Sequence, residues 1–124
     1  MSTEVTSAEA DRTVREASDL MQARGIRHLP VLEQGRAVGV ITWSDINVLE
    51  SVLQVDTDRM KIGEVMSKEV ATAAPDDLLS EAAARMAAAH IGSLLVLEEG
   101  RLAGMFTATD AVRALASLDL SMRS

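Results

Sequence analysis

The chain has 124 residues, 48% of them hydrophobic and none of them Cys, and 19 acidic against 12 basic side chains give it a net charge of −7. One compact domain or two small units fit that length. The composition excludes disulfides, thiolate metal sites and cysteine nucleophiles, and the acidic field disfavours nucleic acid and anionic lipid as partners. Trp43 and Phe106 are the only aromatic residues, so an aliphatic and Met-based core is predicted, with almost no platform for base stacking.

In chain order, a short lead-in strand is expected around Glu4-Val5-Thr6. Asp11 is the expected N-cap of an amphipathic helix whose apolar residues Val14, Ala17, Leu20 and Met21 recur at helical spacing, with Gly25 as its stop. Two β-rich runs, 28–32 and 37–42, flank the turn-sized Glu33-Gln34-Gly35-Arg36 and predict a hairpin. A second helix is expected to begin near Ser44-Asp45. The connector that follows carries Asp56-Thr57-Asp58, which lacks the remaining Gly and Glu of an EF-hand loop and is taken as polar linker and cap. A second lead-in strand is predicted at Val70-Ala71-Thr72, and Asp76 after Pro75 as the next N-cap. The helix then carries Leu79, Ala82 and Met86, and His90 stands where the first helix has Gly25. Strands at 93–97 and 102–107 and a helix start near Thr109-Asp110 complete the chain.

That second series repeats the first. At an offset of 65 residues, positions 4–45 align with 69–110 without a gap and 18 of the 42 columns are identical, most densely where Val31-Leu32-Glu33, Gly35-Arg36, Gly39, Thr42 and Asp45 meet Val96-Leu97-Glu98, Gly100-Arg101, Gly104, Thr107 and Asp110. Clustering at one register marks a duplication. The expected architecture is α+β, two pseudo-symmetric repeats of strand, helix, strand, strand, helix packed as one module, because neither repeat alone has enough surface to bury. The boundaries are drawn at 1–50 for the first repeat, 51–61 for a linker, 62–118 for the second repeat and 119–124 for a tail.

The strings Gly39-Val40-Ile41-Thr42-Trp43-Ser44-Asp45 and Gly104-Met105-Phe106-Thr107-Ala108-Thr109-Asp110 each put a Thr hydroxyl at a strand end and an Asp carboxylate in the first turn of the next helix. Unsatisfied N–H groups at a helix start attract an anion, and a carboxylate accepts from two neighbouring sugar hydroxyls, a combination suited to a ribose with a phosphate. The plainer reading is that Thr and Asp at this spacing cap the helix, since a duplicated fold duplicates its caps. His28 and His90 are not at equivalent positions and have no partner at metal-ligand spacing. Ser7, Ser18 and Ser80 lack the Gly-x-Ser-x-Gly context of a hydrolase nucleophile, so neither a metal site nor an enzyme is expected.

The repeat resembles the CBS domain, the module first recognised in cystathionine β-synthase, and the pair resembles a tandem CBS unit, or Bateman module. The resemblance rests on the helix with Ala17 and Met21 or Ala82 and Met86, the run Gly25-Ile26-Arg27-His28-Leu29-Pro30-Val31, the Gly-containing hairpin, the closing Gly-x-x-Thr-x-x-Asp and the lead-in Ile62-Gly63-Glu64-Val65-Met66-Ser67. It implies a stand-alone cytoplasmic regulatory module, a homodimer without membrane or nucleic-acid contacts. Such a module needs no cofactor, holds AMP, ADP, ATP or S-adenosylmethionine as effector in clefts between the repeats, and signals occupancy to a protein target. Carried onto this sequence, Arg27, His28, Thr42, Trp43, Ser44 and Asp45 would serve one cleft and Thr72, Thr107, Thr109 and Asp110 the other. The family commonly has a basic residue just before the closing Asp, where this chain has Ser44 and Thr109; Arg27 and His28 are the expected substitute in the first repeat, against Gly92 and Ser93 in the second. The alternative from another class is a structural dimerisation or protein-docking module with degenerate, ligand-free clefts.

Overall fold

The protein is described from a computed structural model, over residues 5–89, 92–110 and 113. The chain divides into two compact units, one spanning Thr6–Val70 and the other built on the residues from Ala71 onward. In the first unit β1 (Ala8–Glu9), α1 (Val14–Arg24), β2 (His28–Glu33), β3 (Arg36–Thr42) and α2 (Trp43–Asn47) are followed by a π-helical turn, Val48–Val52, and a single helical turn, α3 (Ile62–Val65). In the second unit come β4 (Ala71–Ala73), α4 (Leu79–Ala89), β5 (Ser93–Glu98) and β6 (Arg101–Thr107), and helical backbone at 108–110. The architecture is mixed α+β, as the alternation of periods in the sequence implies.

Each unit folds the same way. In the first, β1 runs parallel to β2 and β2 antiparallel to β3, with a bulge between Val31 and Leu32. In the second, β4 runs parallel to β5 and β5 antiparallel to β6, with the bulge between Val96 and Leu97, 65 residues on. Both hairpins close with two-residue turns whose central residues have positive φ, 54° at Gln34 and 80° at Gly35, then 54° at Glu99 and 80° at Gly100. That is the pattern of a type I′ turn, which matches the twist of the strands it joins. Gly suits the second position, while Gln34 and Glu99 carry a side chain in a left-handed conformation.

Helix α1 buries one stripe. Val14, Ala17 and Met21 join Leu29, Val31, Ile41, Ile46 and Ile62 in a cluster whose members are all 1% exposed or less. Each of the larger side chains is worth about 1.5–3 kcal/mol when fully buried. The second unit repeats the cluster with Ala73, Ala82, Met86, Leu94, Val96 and Phe106, the aromatic ring standing where the first unit has Ile41.

Three local expectations are corrected. The N-cap of α1 is Thr13, whose hydroxyl accepts from Glu16 N at 3.1 Å while the Glu16 carboxylate accepts from Thr13 N, a reciprocal capping box; Asp11 lies just before it, in a turn. Asp76 likewise sits in a turn ahead of α4. The acidic residue that works there is Asp77, which accepts from Ala74 N and from Arg85, both at 2.9 Å, while Arg85 also donates to the Thr72 carbonyl at 3.0 Å. These bonds to the charged form hold the Asp77 carboxyl below the usual carboxylate range, the Ala74 N–H contributing most. The first lead-in strand is Ala8–Glu9, while Val5 and Thr6 of the expected Glu4-Val5-Thr6 precede it without strand pairing and Glu4 lies outside the described residues; the second, Ala71–Ala73, falls where expected. Gly25 ends α1 in a left-handed conformation, φ 66°, as its position suggests; His90 lies outside the described residues.

Homology and contact divide the chain differently. The stretch from 61 to 67 aligns with what precedes a repeat, yet its bonds run back into the first unit: Ile62 N donates to Arg12 O at 2.8 Å, Gly63 N to Ala10 O at 2.9 Å, and Val40 and Ser67 exchange two backbone bonds of 3.0 and 2.9 Å. The connector before it is equally engaged, for Met60 O and Thr57 O accept from Val14 N and Arg15 N and so satisfy two N–H groups that open α1. The Asp56 carboxylate accepts from Asp58 N at 3.1 Å, which makes this acidic cluster a local turn.

Candidate functional site

Strand β3 delivers the Gly-x-x-Thr-x-x-Asp string of the first unit. Gly39 lies where the chain has no space for a side chain, since a β-carbon there would meet the Ser67 carbonyl at 2.6 Å and Met66 Sδ at 2.8 Å. The Gly of the motif thus serves the docking of residues 66–67, a role that the motif alone did not reveal although its presence in both repeats was a signal. At the strand's end Thr42 caps α2: its hydroxyl accepts from Asp45 N at 3.1 Å and its N–H donates to Asp45 Oδ2 at 3.3 Å. The capping reading of Thr and Asp is therefore how these side chains are arranged here.

Capping leaves the carboxylate capacity to spare. An ionised carboxylate offers about four acceptor positions, and among the described residues Asp45 uses one of them, for Thr42 N. In the second unit the hydroxyl also turns onto the acid. Asp110 Oδ2 accepts from Thr107 N at 2.9 Å and from Thr107 Oγ1 at 3.1 Å, while Asp110 N donates to Thr107 Oγ1 at 3.3 Å. Asp110 is thus the more fully occupied of the two.

Around Asp45 the predicted residues of the first unit converge. The antiparallel ladder sets His28 directly opposite Thr42, so their side chains leave the same face of the sheet, and Trp43 N donates to the Arg27 carbonyl at 2.9 Å, tying the start of β2 to the start of α2. His28 and Asp45 are half-buried and Arg27 and Ser44 are exposed. The Trp43 side chain is half-buried and packs on the core cluster beside α1. Burial lowers the His28 pKa, the Arg27 charge lowers it further and the Asp45 carboxylate opposes them, so the imidazole is neutral at pH 7.

The second unit assembles fewer of its residues. Thr107 and Asp110 are joined by their capping box, Thr109 is exposed beside them, and Ser93 stands opposite Thr107 where the first unit has His28. Thr72 is not with them: it pairs with Leu95, two strands across from β6 and two register positions from the Ser93–Thr107 pair, about 12 Å at ordinary sheet spacings. Its place in the lead-in strand, not proximity, brought it into the candidate set. A cavity of 540 Å³ in the first unit lies elsewhere, along β1 and α1, and its walls include Arg12 and Glu16, paired with each other at 2.7 Å. Among the described residues no three His, Cys, Asp or Glu are grouped to hold a metal ion, and no helix is long and apolar enough to cross a membrane.

The family model for the CBS domain matches residues 1–48 and 62–117. The "CBS domain-containing protein YhcV" of Bacillus subtilis is 31% identical over 110 residues, which is 89% of this chain and 78% of that one. A homoserine O-acetyltransferase of Methanococcus vannielii is 29% identical over 108 residues, but these are 85% of this chain and only 22% of the enzyme, so the enzyme name covers a much longer protein. Among solved structures, the CBS domain pair of protein MJ0100, in complex with 5′-methylthioadenosine and S-adenosyl-L-methionine, superposes with a TM-score of 0.83 at 27% identity, over 94% of this chain and 92% of that one. With two matched segments that together span most of its length, this chain belongs to the CBS-domain family as a CBS pair.

Proposed function

We propose that this CBS pair is a regulatory module that binds an adenosine-containing small molecule, AMP, ADP, ATP or S-adenosylmethionine, and signals its presence to a protein target as a homodimer. The observation that carries the reading is the convergence of Arg27, His28, Thr42 and Asp45 at one end of the first unit's hairpin, with acceptor positions left on the Asp45 carboxylate. A ribose diol donates two hydrogen bonds to such a carboxylate, and the MJ0100 pair, bound to two adenosine derivatives, supplies the precedent for the ligand class. The more cationic and less occupied first unit is the principal site.

The experiment is calorimetric titration with those four ligands and 5′-methylthioadenosine, on the natural chain and on Asp45→Ala and Asp110→Ala. Asp45→Ala is expected to cost about 1.5–3 kcal/mol of binding through the lost charge-assisted bonds, and Asp110→Ala much less. Loss confined to Asp110→Ala would reverse the assignment, and no binding of any of the five would overturn the reading. A second reading, a docking module without a ligand, is favoured by one observation: Val48, Val52 and Leu53, after α2, are 48%, 71% and 60% exposed. It predicts self-association that is indifferent to every ligand tested.

A further inference from the structure

The two cores are not equally closed. In the first unit the returning segment puts Ile62 into the core cluster with Val14, Ala17, Leu29, Val31 and Ile41, where it is 0% exposed. The 65-residue offset carries Ile62 past residue 124 in one direction and ahead of Met1 in the other, so none of these 124 residues is its counterpart. The second unit shows the consequence. A cavity of 160 Å³ lies among Ala73, Pro75, Ala82, Leu94, Val96 and Phe106, and their counterparts at the offset all belong to, or pack on, the cluster that holds Ile62. A space of roughly 150 Å³ bounded by such side chains holds a group the size of benzene, so one branched aliphatic side chain fits. Exposure agrees with the missing plug: Ala82, Met86 and Phe106 are 7%, 5% and 3% exposed, against 1%, 1% and 0% for Ala17, Met21 and Ile41.

We propose that this socket in the second unit is a docking site for a short segment of another polypeptide, one that inserts a β-branched aliphatic side chain followed directly by glycine. The first unit supplies the template. There Ile62 N donates to Arg12 O at 2.8 Å and Gly63 N to Ala10 O at 2.9 Å, and Asp77 and Pro75 bring their carbonyls to the corresponding places in the second unit. A β-carbon on Gly63 would stand 3.3 Å from both Ala10 Cβ and Ala10 O, and the Pro75 ring at the equivalent position is bulkier, so the residue after the plug must be glycine. The residue before it is basic in the first unit, Lys61, whose ammonium donates to Asp11 O at 3.3 Å. Asp76 takes the place of Asp11 and the Asp77 carboxylate lines the cavity, so the acidic mouth favours a basic residue in the incoming segment as well. A second copy cannot lend its own Ile62 without breaking those two bonds and opening its own core, which leaves a different polypeptide as the donor. The binding mode is an apolar anchor in a preformed pocket with backbone bonds at its rim, independent of the ligand reading of Asp45.

The probe is a synthetic peptide that copies residues 59–67, titrated into the natural chain and followed by the methyl NMR signals of Ala82, Leu94 and Val96. Those signals are expected to shift and saturate. Peptides carrying Ile62→Asp or Gly63→Val should each bind at least about tenfold more weakly, the first because a carboxylate does not transfer into an apolar cavity and the second because its side chain meets Pro75. No shift at these methyls, or equal binding by the three peptides, overturns the proposal. Shifts at Leu29 and Val31 instead would mean that the peptide displaces the chain's own Ile62, which overturns it equally. The same shifts at Ala82, Leu94 and Val96 on concentrating the protein alone give the cavity to a second copy, and on adding adenosine give it to a small molecule; either result refutes the docked segment.

Discussion

Replacing Gly39 by Ala tests whether the segment 66–67 is part of the first unit's framework. The added carbon would stand 2.6 Å from the Ser67 carbonyl oxygen, 2.8 Å from Met66 Sδ and 3.1 Å from Met66 Cγ. The thioether can swing away, but the carbonyl is held by the two bonds that Ser67 shares with Val40, at 3.0 and 2.9 Å. It must retreat by roughly 0.5 Å or more to reach ordinary van der Waals distance, which strains or breaks both bonds. Overpacking costs about 1–3 kcal/mol and each weakened bond about 0.5–1.5 kcal/mol, against about 0.4–1 kcal/mol regained because Ala restricts the unfolded chain. The net expectation is a loss of about 2–3 kcal/mol. Urea unfolding followed by Trp43 fluorescence measures it, and hydrogen exchange at Val40 and Ser67 should show both amides losing protection. A change below about 0.5 kcal/mol with both amides still protected would refute the argument and free residues 66–67 from the unit.

Two other outcomes follow from the same geometry. Gln34→Asn in the first hairpin should stabilise the protein by a few tenths to about 1 kcal/mol, because Asn tolerates the left-handed conformation that Gln34 adopts at φ 54°; thermal melts check this, and destabilisation would contradict the type I′ assignment. Because His28 has a lowered pKa in the fold, the unfolded chain binds its proton more readily below pH 6.5; this contribution to stability is complete above that pH and fades as pH falls from 6.5 through the lowered value. His28→Ser should flatten that part of the stability profile in urea titrations at pH 5–7, and an unchanged slope would count against the burial of the ring.

The hairpins and helices were legible because duplication doubled their signal. The 65-residue offset reproduces β2, β3 and α1 as β5, β6 and α4 with the same ends, bulge included. Caps were harder, since Asp11, Thr13 and Glu16 all favour a helix start and only the reciprocal fit of Thr13 with Glu16 decides among them. The Thr42–Asp45 pair was visible as a motif, but its chemistry was divided between cap and ligand site, and the sequence carries no trace of which atoms Asp45 keeps in reserve. For Thr72 the repeat places the residue on a strand, while its distance from a site depends on register across neighbouring strands. The return of residues 57–67 to the first unit had no local signature, because those bonds are made by backbone atoms that every residue has.

That return bears on how the gene could have grown. The compact first unit, Thr6–Val70, is as long as the offset between the repeats. A duplication that copied this stretch end to end would therefore have transmitted a complete folding cassette, with the segment that staples the helix start and covers Gly39 travelling at its tail. Cutting the chain where homology ends, near residue 50, would strand Val14 N and Arg15 N without their acceptors. Grafting or permuting this protein should instead respect the seam near residue 70, where the cassette has closed on itself.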